Sequence, residues 1–190
     1  SFVSDKHTGT FGKPAILSFN GNKIVTTGGG GMIITNDKEF AERAKYLSTT
    51  AKKPHPYEFY HTEVGYNFRM PNVNAAVGVA QMEQLHEFIE KKRKLAMNYI
   101  DFCHKENIEI FEEKPGYTSN FWLNCILLPN LKERNEFLEY TNNKDKGIMT
   151  RPVWVLMHKL EMYKNCQVHS SENAEWLADR LVNVPSSVVK

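Results

Sequence analysis

The chain has 190 residues, a length that suits one domain or two small ones. Hydrophobic residues make up 41% of it and aromatic residues 12%, so it can bury a core and is not a disordered tail. The formal net charge is only +2, with no long block of one sign, which argues against an extended nucleic-acid-binding surface. The short charged run at residues 90–94 is expected to be a solvated helix face.

Cysteine and histidine usage indicates a reduced, metal-free protein. The three cysteines are odd in number and fit no zinc spacing, so we expect free thiols and a cytoplasmic location. His7, His55 and His61 also lack metal-ligand spacing. Neither a signal peptide nor an apolar stretch that could span a bilayer is visible, so no membrane association is expected. Residues 1–4 do not look like the start of a protein, and we expect the chain to be part of a larger one.

The first half predicts two strands, a helix, a loop and a long helix. Apolar runs indicate strands at residues 15–19 and 32–35, and Asn36 or Asp37 can cap the helix that follows. Residues 49–68 lack periodicity and are expected to form an ordered loop. Pro71 suits the first turn of a helix that continues to about residue 104 and links two domains.

The second half predicts a small α+β domain. Strands are expected at residues 108–111, 121–128 and 147–152, with a helix at 132–140. Ser171 can cap a last helix that bears Trp176, Leu177 and Leu181. The predicted division is therefore residues 1–104, which end with the long helix of about 71–104, and residues 105–190.

One segment carries recognisable chemistry. Ser18 places a hydroxyl at the end of a strand, Lys23 places an amine on the following turn, and the glycines of residues 28–31 come soon after. Pyridoxal 5'-phosphate (PLP) needs such groups, because its aldehyde joins a lysine amine and its phosphate takes hydroxyl and backbone N–H donors. On the residues alone, a surface lysine and a flexible glycine loop remain the alternative. The glycines match neither the dinucleotide-binding pattern nor the P-loop.

A family resemblance favours the PLP interpretation. Residues 7–37 resemble the active-site segment of the DegT/DnrJ/EryC1/StrS aminotransferases, in which a Ser-Phe, a short loop, the Schiff-base lysine, a Thr-Gly-Gly-Gly run and a strand follow in order. The resemblance continues through residues 63–70, 74–76, 120–124, 150–154 and 181–187, so it spans essentially the whole chain. The subgroup most similar to this sequence aminates UDP-4-keto-6-deoxy-N-acetylhexosamines on the way to bacillosamine or legionaminic acid.

The resemblance implies an α/β fold: the C-terminal part of a fold type I PLP-dependent transferase large domain, plus a small α+β C-terminal domain. It also implies a homodimer with shared active sites. The implied reaction moves an amino group, with glutamate as the expected donor, to the C4 ketone of a nucleotide-activated 4-keto-6-deoxy sugar for a bacterial surface glycan such as lipopolysaccharide. The family's other cofactor groups, among them the acid that pairs with the pyridine nitrogen, would lie in the missing N-terminal half of the large domain.

Within that resemblance, Lys23 would be the catalytic lysine and Ser18 a donor to the PLP phosphate. Asn67 would reach the phosphate in the neighbouring subunit. Arg69 would either support that inter-subunit loop or form a salt bridge within its own loop. Asn20 and Asn22 can simply shape the turn.

Arg69 and three residues of the second domain are candidates for substrate binding. Arg151, Trp154 and His158 sit near the segment that this family points toward the sugar nucleotide. Trp154 could equally be a core residue, and His158 a hydrogen-bonded packing residue. Two other functions stay open. A PLP-dependent sugar dehydratase of the same family would carry histidine in place of Lys23, and a truncated domain could act as a binding or assembly module.

Overall fold

A computed structural model describes residues 1–188 and divides the chain into two compact units. The first comprises Ser1–Phe88 and Pro115–Ser119, and the second Ile89–Lys114 and the described residues from Asn120 onward. This differs from the predicted division after residue 104. The physical reason is that the helix that follows residue 84 buries Ala96, Ile100 and Cys103, and Cys103 is part of the hydrophobic core of the second unit.

The first half contains, in chain order, β1 (Phe2–Val3), β2 (Lys6–His7), a 3-10 helix (Thr8–Thr10), β3 (Pro14–Ser18), β4 (Gly31–Thr35), α1 (Lys38–Ser48) and α2 (Asn72–Glu83). The two predicted strands and the helix after them are confirmed as β3, β4 and α1, whereas β1, β2 and the 3-10 helix were not predicted. Of the two proposed caps, Asp37 caps α1 by accepting a hydrogen bond from the Phe40 N–H. The strands β3 and β4 form an antiparallel two-stranded sheet that pairs Pro14 with Thr35 and Ser18 with Gly31.

The predicted helix of residues 71–104 is two helices. Pro71 is the N-cap of α2 rather than part of its first turn, and α3 (Leu85–Lys105) begins after Gln84. The Gln84 N–H donates to the Gln81 carbonyl three residues earlier, so the regular α-helical ladder is interrupted there. No proline or glycine marks the break, which explains why periodicity alone missed it.

The second unit is built around one four-stranded antiparallel sheet. The remaining elements are β5 (Glu109–Ile110), β6 (Tyr117–Thr118, which belongs to the first unit and pairs with β1 there), β7 (Asn124–Leu127), α4 (Leu131–Asn142), β8 (Arg151–Pro152), 3-10 helices at Met157–Lys159 and Glu161–Tyr163, α5 (Glu172–Ala178) and β9 (Leu181–Val184). The sheet order is β5-β7-β9-β8. Its core joins Cys103, Ile126 and Val182, and Val182 is completely buried.

Three predictions for the second unit need correction. The last helix ends at Ala178, and Leu181 opens β9, an interior strand of the sheet. The strand predicted at 121–128 begins only at Asn124, because Phe121 adopts a positive φ of 44°. The strand predicted at 147–152 shrinks to Arg151–Pro152, since Gly147 also has a positive φ.

The charged run at residues 90–94 is only partly a solvated face. The Lys92 ammonium donates to the backbone carbonyls of Trp122 at 3.0 Å and Ser186 at 2.6 Å. Arg93 forms a two-bond ion pair with Glu113. Both side chains are partly buried, so these charges hold the second unit together.

Candidate functional site

Ser18 and Lys23 lie on the single loop that connects β3 and β4. Ser18 ends β3 with an exposed side chain, and Lys23 is half-buried five residues later. The Lys23 N–H donates to the Asn20 carbonyl at 3.0 Å, which makes residues 20–23 a tight turn. The loop is closed at its base, because the Phe19 N–H donates to Gly30 and the Thr27 N–H to Phe19, both at 3.0 Å.

Three glycines of this loop stand where a residue with a side chain would be strained or would clash. Gly28 and Gly30 have φ values of 79° and 110°, which residues with a side chain rarely adopt. A Cβ at Gly31 would lie 2.8 Å from the Leu17 carbonyl oxygen, so β4 approaches β3 closely there. The Thr27 hydroxyl donates to the Gly29 carbonyl within the same run. The glycine run is therefore a defined turn, not the flexible loop that remained as an alternative.

Helix α2 holds the end of this loop. The Asn74 side-chain amide donates to the Thr27 carbonyl at 2.6 Å, and the Thr26 N–H donates to the Gln81 side chain at 3.5 Å. A Cβ at Gly78 would lie 2.9 Å from the Thr27 methyl carbon, so only glycine lets the helix come this near. Sequence reasoning assigned no role to Asn74 or Gly78. A glycine inside an otherwise regular helix was the available signal.

Asn67 lies on a separate segment, residues 49–69, which we call the arm. Its two sides are joined by β-bridges that pair Thr49 with Asn67 and Lys52 with His61. Arg43 on α1 forms two hydrogen bonds of 2.5 Å with Glu63 of the arm. These bonds lower the pKa of the Glu63 carboxyl. The predicted ordered loop is thus confirmed, and the arm presents Asn67 as an exposed side chain.

Close backbone packing fixes the arm near Asn67. A Cβ at Gly65 would lie 2.4 Å from the Thr50 carbonyl carbon and 2.5 Å from the Ala51 nitrogen. Thr50 and Ala51 both have positive φ, 69° and 49°, and Ala51 is completely buried. Arg69, at the end of the arm, is exposed and forms no ion pair within residues 1–188. The salt bridge considered for Arg69 is therefore not found among residues 1–188; Arg43 instead forms an ion pair with Glu63 of the arm.

Arg151, Trp154 and His158 all belong to the second unit. Arg151 in β8 is exposed. Trp154 is also exposed, at 68%, and stacks on Trp122 with ring centroids 6.2 Å apart and planes 24° apart, so it is not a core residue. His158 lies 3.0 Å from a Glu175 carboxylate oxygen, which matches the hydrogen-bonded packing role considered for it.

Glu175 also contacts other side chains near His158. It accepts a hydrogen bond from the Ser171 hydroxyl at 2.9 Å and pairs with Lys159 at 3.1 Å. Hydrogen bonds from Ser171, Lys159 and His158 lower the pKa of this carboxyl. Ser171, predicted as the cap of α5, occupies the N-cap position but directs its hydroxyl to Glu175 instead of a backbone N–H.

The residues present in the β3–β4 loop fit a PLP group. The loop offers one half-buried amine, an exposed hydroxyl five residues away, and a turn whose glycines keep side chains off the backbone. Within residues 1–188, no group of three or more His, Cys, Asp or Glu side chains could hold a metal ion. None of the helices in the described part of the chain is both long and apolar enough to cross a bilayer.

Two curated relatives are similar to this chain in sequence. The GDP-perosamine synthase of Escherichia coli O157:H7 is 37% identical over 187 residues, which cover 95% of this chain and 48% of that protein. The UDP-4-amino-4,6-dideoxy-N-acetyl-beta-L-altrosamine transaminase of Helicobacter pylori is 29% identical over 119 residues, 62% of this chain and 30% of that protein. The chain spans half or less of the length of these relatives.

Solved structures share the fold. An aminotransferase, TlmJ from Streptoalloteichus hindustanus, superimposes with a TM-score of 0.86 at 26% identity and covers 96% of this chain and 49% of its own. The E. coli GDP-4-keto-6-deoxy-D-mannose-3-dehydratase, solved with hydrated PLP bound, gives 0.81 at 22% identity, covering 98% of this chain and 53% of its own. These neighbours confirm the predicted fold class.

The sequence profile of one family covers residues 1–189, nearly the whole chain. That family is described as the DegT/DnrJ/EryC1/StrS aminotransferase family, the one whose motifs were found in the β3–β4 loop and the arm. The chain therefore belongs to the DegT/DnrJ/EryC1/StrS aminotransferase family.

Proposed function

We propose that this chain supplies the lysine-bearing part of a PLP-dependent sugar-nucleotide aminotransferase. The observation that carries the proposal is the placement of Lys23. It is a half-buried lysine in a turn closed by hydrogen bonds, with Ser18 at the base of the same loop. Membership in an aminotransferase family supports the same chemistry.

Each residue of the loop has a distinct task in this proposal. Bound PLP supplies an electron sink for the carbon that gains or loses the amino group. Lys23 holds the cofactor through its amine and, once released from it, accepts and returns the proton at that carbon. Ser18 donates a hydrogen bond to the phosphate. The closed turn limits the positions that the Lys23 amine can take.

The substrate proposal is a nucleotide-activated 4-keto-6-deoxy sugar that receives the amino group at C4, with glutamate as the donor. The name of the Helicobacter pylori relative, a 4-amino-4,6-dideoxy sugar transaminase, supports the position on the ring. Arg151 and Trp154 are exposed in the second unit and suit a phosphate and a flat ring or sugar face. His158 would contact the sugar only through the nitrogen that does not face Glu175.

The arm suggests that active sites are shared between two copies of the chain. Asn67 is exposed on a segment that its own unit braces through Arg43 and Glu63. A braced segment with an exposed amide is suited to reach a neighbouring subunit, where Asn67 would donate to the PLP phosphate and Arg69 would support the contact. We propose a cytoplasmic homodimer that serves bacterial surface glycan synthesis, lipopolysaccharide included.

Two other functions fit less well. A sugar dehydratase shares the fold. The family resemblance implies histidine at this position in dehydratases, and this chain has Lys23 there. A non-catalytic assembly module would account for a chain of about half the length of its relatives. It would not account for a lysine held in a closed turn.

Addition of PLP to the folded intact enzyme, in which the remaining cofactor groups are present, tests the proposal. We expect a new visible absorbance band, and added glutamate should shift it toward the ultraviolet as the amine form of the cofactor accumulates. Lys23→Arg keeps the charge and should abolish the band. Lys13→Arg is the matched control, since Lys13 is exposed and pairs with Asp37. An equal band in wild type and Lys23→Arg would contradict the proposal, as would no band in the folded intact enzyme.

A further inference from the structure

Trp122 and Trp154 form an aromatic pair on the second unit. The distance of 6.2 Å between their ring centroids lies within the range of favourable offset stacking. Trp122 is half-buried, whereas Trp154 is 68% exposed, so much of the outer ring is left in contact with solvent. Tryptophan binds other flat rings well, because its large rigid face loses little conformational entropy on contact. The pair therefore presents an aromatic face that is oriented in advance by its inner ring.

The segment that contains Trp122 is held in an unusual backbone conformation. Phe121 is buried and has a φ of 44°, a left-handed value that residues with a side chain rarely adopt. The Trp122 N–H donates to the Asn120 side-chain oxygen at 3.2 Å, and the Arg93 guanidinium lies 5.3 Å from the centre of the Phe121 ring. Strained backbone persists only where surrounding contacts fix it, and it is concentrated at ligand-binding and active sites. These contacts therefore fix the backbone from which the Trp122 ring extends.

Lys92 joins this segment to the sheet of the same unit. Its ammonium donates both to the Trp122 carbonyl and to the Ser186 carbonyl. Ser186 is buried, and its hydroxyl accepts a hydrogen bond of 2.8 Å from the Asn124 N–H, where β7 begins. Burial lowers the pKa of the Lys92 amine, so the charge is held there at a cost in desolvation. Apolar packing would stabilise the unit without that cost, whereas two charged hydrogen bonds also fix the direction of the carbonyls they reach.

We propose that Lys92 is a positioning residue, which fixes Trp122 so that the Trp122–Trp154 pair forms a stacking platform for the base of the nucleotide sugar. The identity of this ligand rests on the proposed function. A nucleobase suits the platform, because every base has a flat π-face that stacks on an indole whatever its hydrogen-bonding edge. Arg151 of β8 precedes Trp154 in the chain, is exposed, and suits the diphosphate that adjoins the base.

Nucleotide binding to the intact enzyme tests this inference, with UDP and GDP as the probes in a calorimetric titration. Both are used because the curated relatives are named for GDP- and UDP-linked sugars. Wild type should bind at least one of them, and Trp154→Ala should weaken that binding about tenfold, as expected for the loss of one stacked base. Lys92→Met should weaken it about fivefold, because the platform loses its fixed orientation. Lys92→Arg keeps a charged donor and should restore most of the affinity.

A control variant and a spectroscopic signal separate positioning from mere stability. Val182→Ala opens a void in the core of the same unit without removing a side-chain hydrogen bond, so it should lose stability and bind the nucleotide as wild type does. Near-ultraviolet circular dichroism reports the ring pair itself. The signal that is lost in both Trp122→Phe and Trp154→Phe, but kept in Trp176→Phe, belongs to the pair. We expect Lys92→Met to lose this signal and Val182→Ala to keep it.

Several results would overturn the inference. It fails when neither nucleotide binds the wild-type enzyme, or when Trp154→Ala binds as tightly as wild type. It also fails when Lys92→Met keeps the affinity and the dichroism of the pair, or when Val182→Ala weakens binding equally. Should Lys92→Met not fold, Lys92→Gln, which keeps a neutral donor, takes its place with the same expectations. Neither readout depends on Lys23, so this inference and the proposed function can each fail alone.

Discussion

Gly65→Ala should loosen the arm without unfolding the protein. The added Cβ would lie 2.4 Å from the Thr50 carbonyl carbon, where an ordinary contact begins near 3.4 Å. The added Cβ is attached to the backbone and the Thr50 carbon is part of it. The backbone must therefore move by about 1 Å, because no side-chain rotation can relieve the contact. Neighbouring residues form the arm's contacts with α1, and such a shift breaks them.

A shift of this size would break three backbone hydrogen bonds between the arm and the end of α1 or within the arm. The Tyr66 N–H donates to Leu47 at 2.7 Å, the Thr50 N–H to Tyr66 at 3.0 Å, and the Phe68 N–H to Ser48 at 3.0 Å. At about 1 kcal/mol each, their loss lowers the free energy of opening the arm by about 3 kcal/mol. Since about 1.4 kcal/mol corresponds to a factor of ten, exchange of these amides should become about a hundredfold faster.

Hydrogen exchange followed by mass spectrometry measures this directly. Peptides that cover residues 47–68 should lose protection in Gly65→Ala, while peptides of the second unit keep theirs. Gly21→Ala is the matched control, because a Cβ there meets no atom within 4 Å and the residue does not have a positive φ. Unchanged protection of the arm in Gly65→Ala would refute the idea that close packing at Gly65 fixes it. Equal loosening in Gly21→Ala would do the same.

Three further predictions concern the second unit. Val182→Ala should lower the free energy of unfolding by about 1–3 kcal/mol in urea titrations, because Val182 is completely buried, whereas Val155→Ala should change it by less than about 0.5 kcal/mol. Lys92→Met should cost about 2 kcal/mol in the same assay, because two backbone carbonyls lose a charged donor; an unchanged midpoint would contradict this. Burial raises the pKa of the Cys125 thiol to about 11, so at pH 8 an alkylating reagent should modify the exposed Cys166 much faster than Cys125.

The raised pKa of the Cys125 thiol also predicts how the free energy of unfolding changes with pH. Its pKa in the folded protein is raised above the usual value of 9.0, so folding favours the protonated form. The stabilisation is complete below pH 9, declines as the pH rises toward 11, and is lost above it. Cys125→Ser should flatten the alkaline part of the stability profile. A profile identical to wild type above pH 9 would contradict the assignment.

Local signals made the first half of the chain predictable. Apolar runs set the β3 and β4 strands, and the short side chain of Asp37 caps α1 as its type favours. The Lys23 loop was recognised from its residue types and order. The contacts that hold the loop come from Asn74 and Gly78, far along the chain from Thr27, so no local pattern could show them.

Non-local pairing explains the errors in the second half. Leu181 follows Trp176 and Leu177 at helical spacing, yet residues 181–184 become a strand because β7 and β8 pair with them from distant parts of the chain. Lys92 looked like one more surface charge, and only the fold brings two backbone carbonyls to it. The break at Gln84 has no proline or glycine to mark it, so the sequence offered no local signal for it.

The central claim is that Lys23 holds the cofactor, and covalent trapping tests it most directly. The intact protein would be incubated with PLP, reduced with borohydride and mapped by peptide mass spectrometry. We predict that the label concentrates on Lys23 and that Asn74→Ala, which removes the hydrogen bond to the Thr27 carbonyl, reduces its yield. Label spread evenly over exposed lysines such as Lys13, or an equal total yield in Lys23→Arg, would contradict the claim.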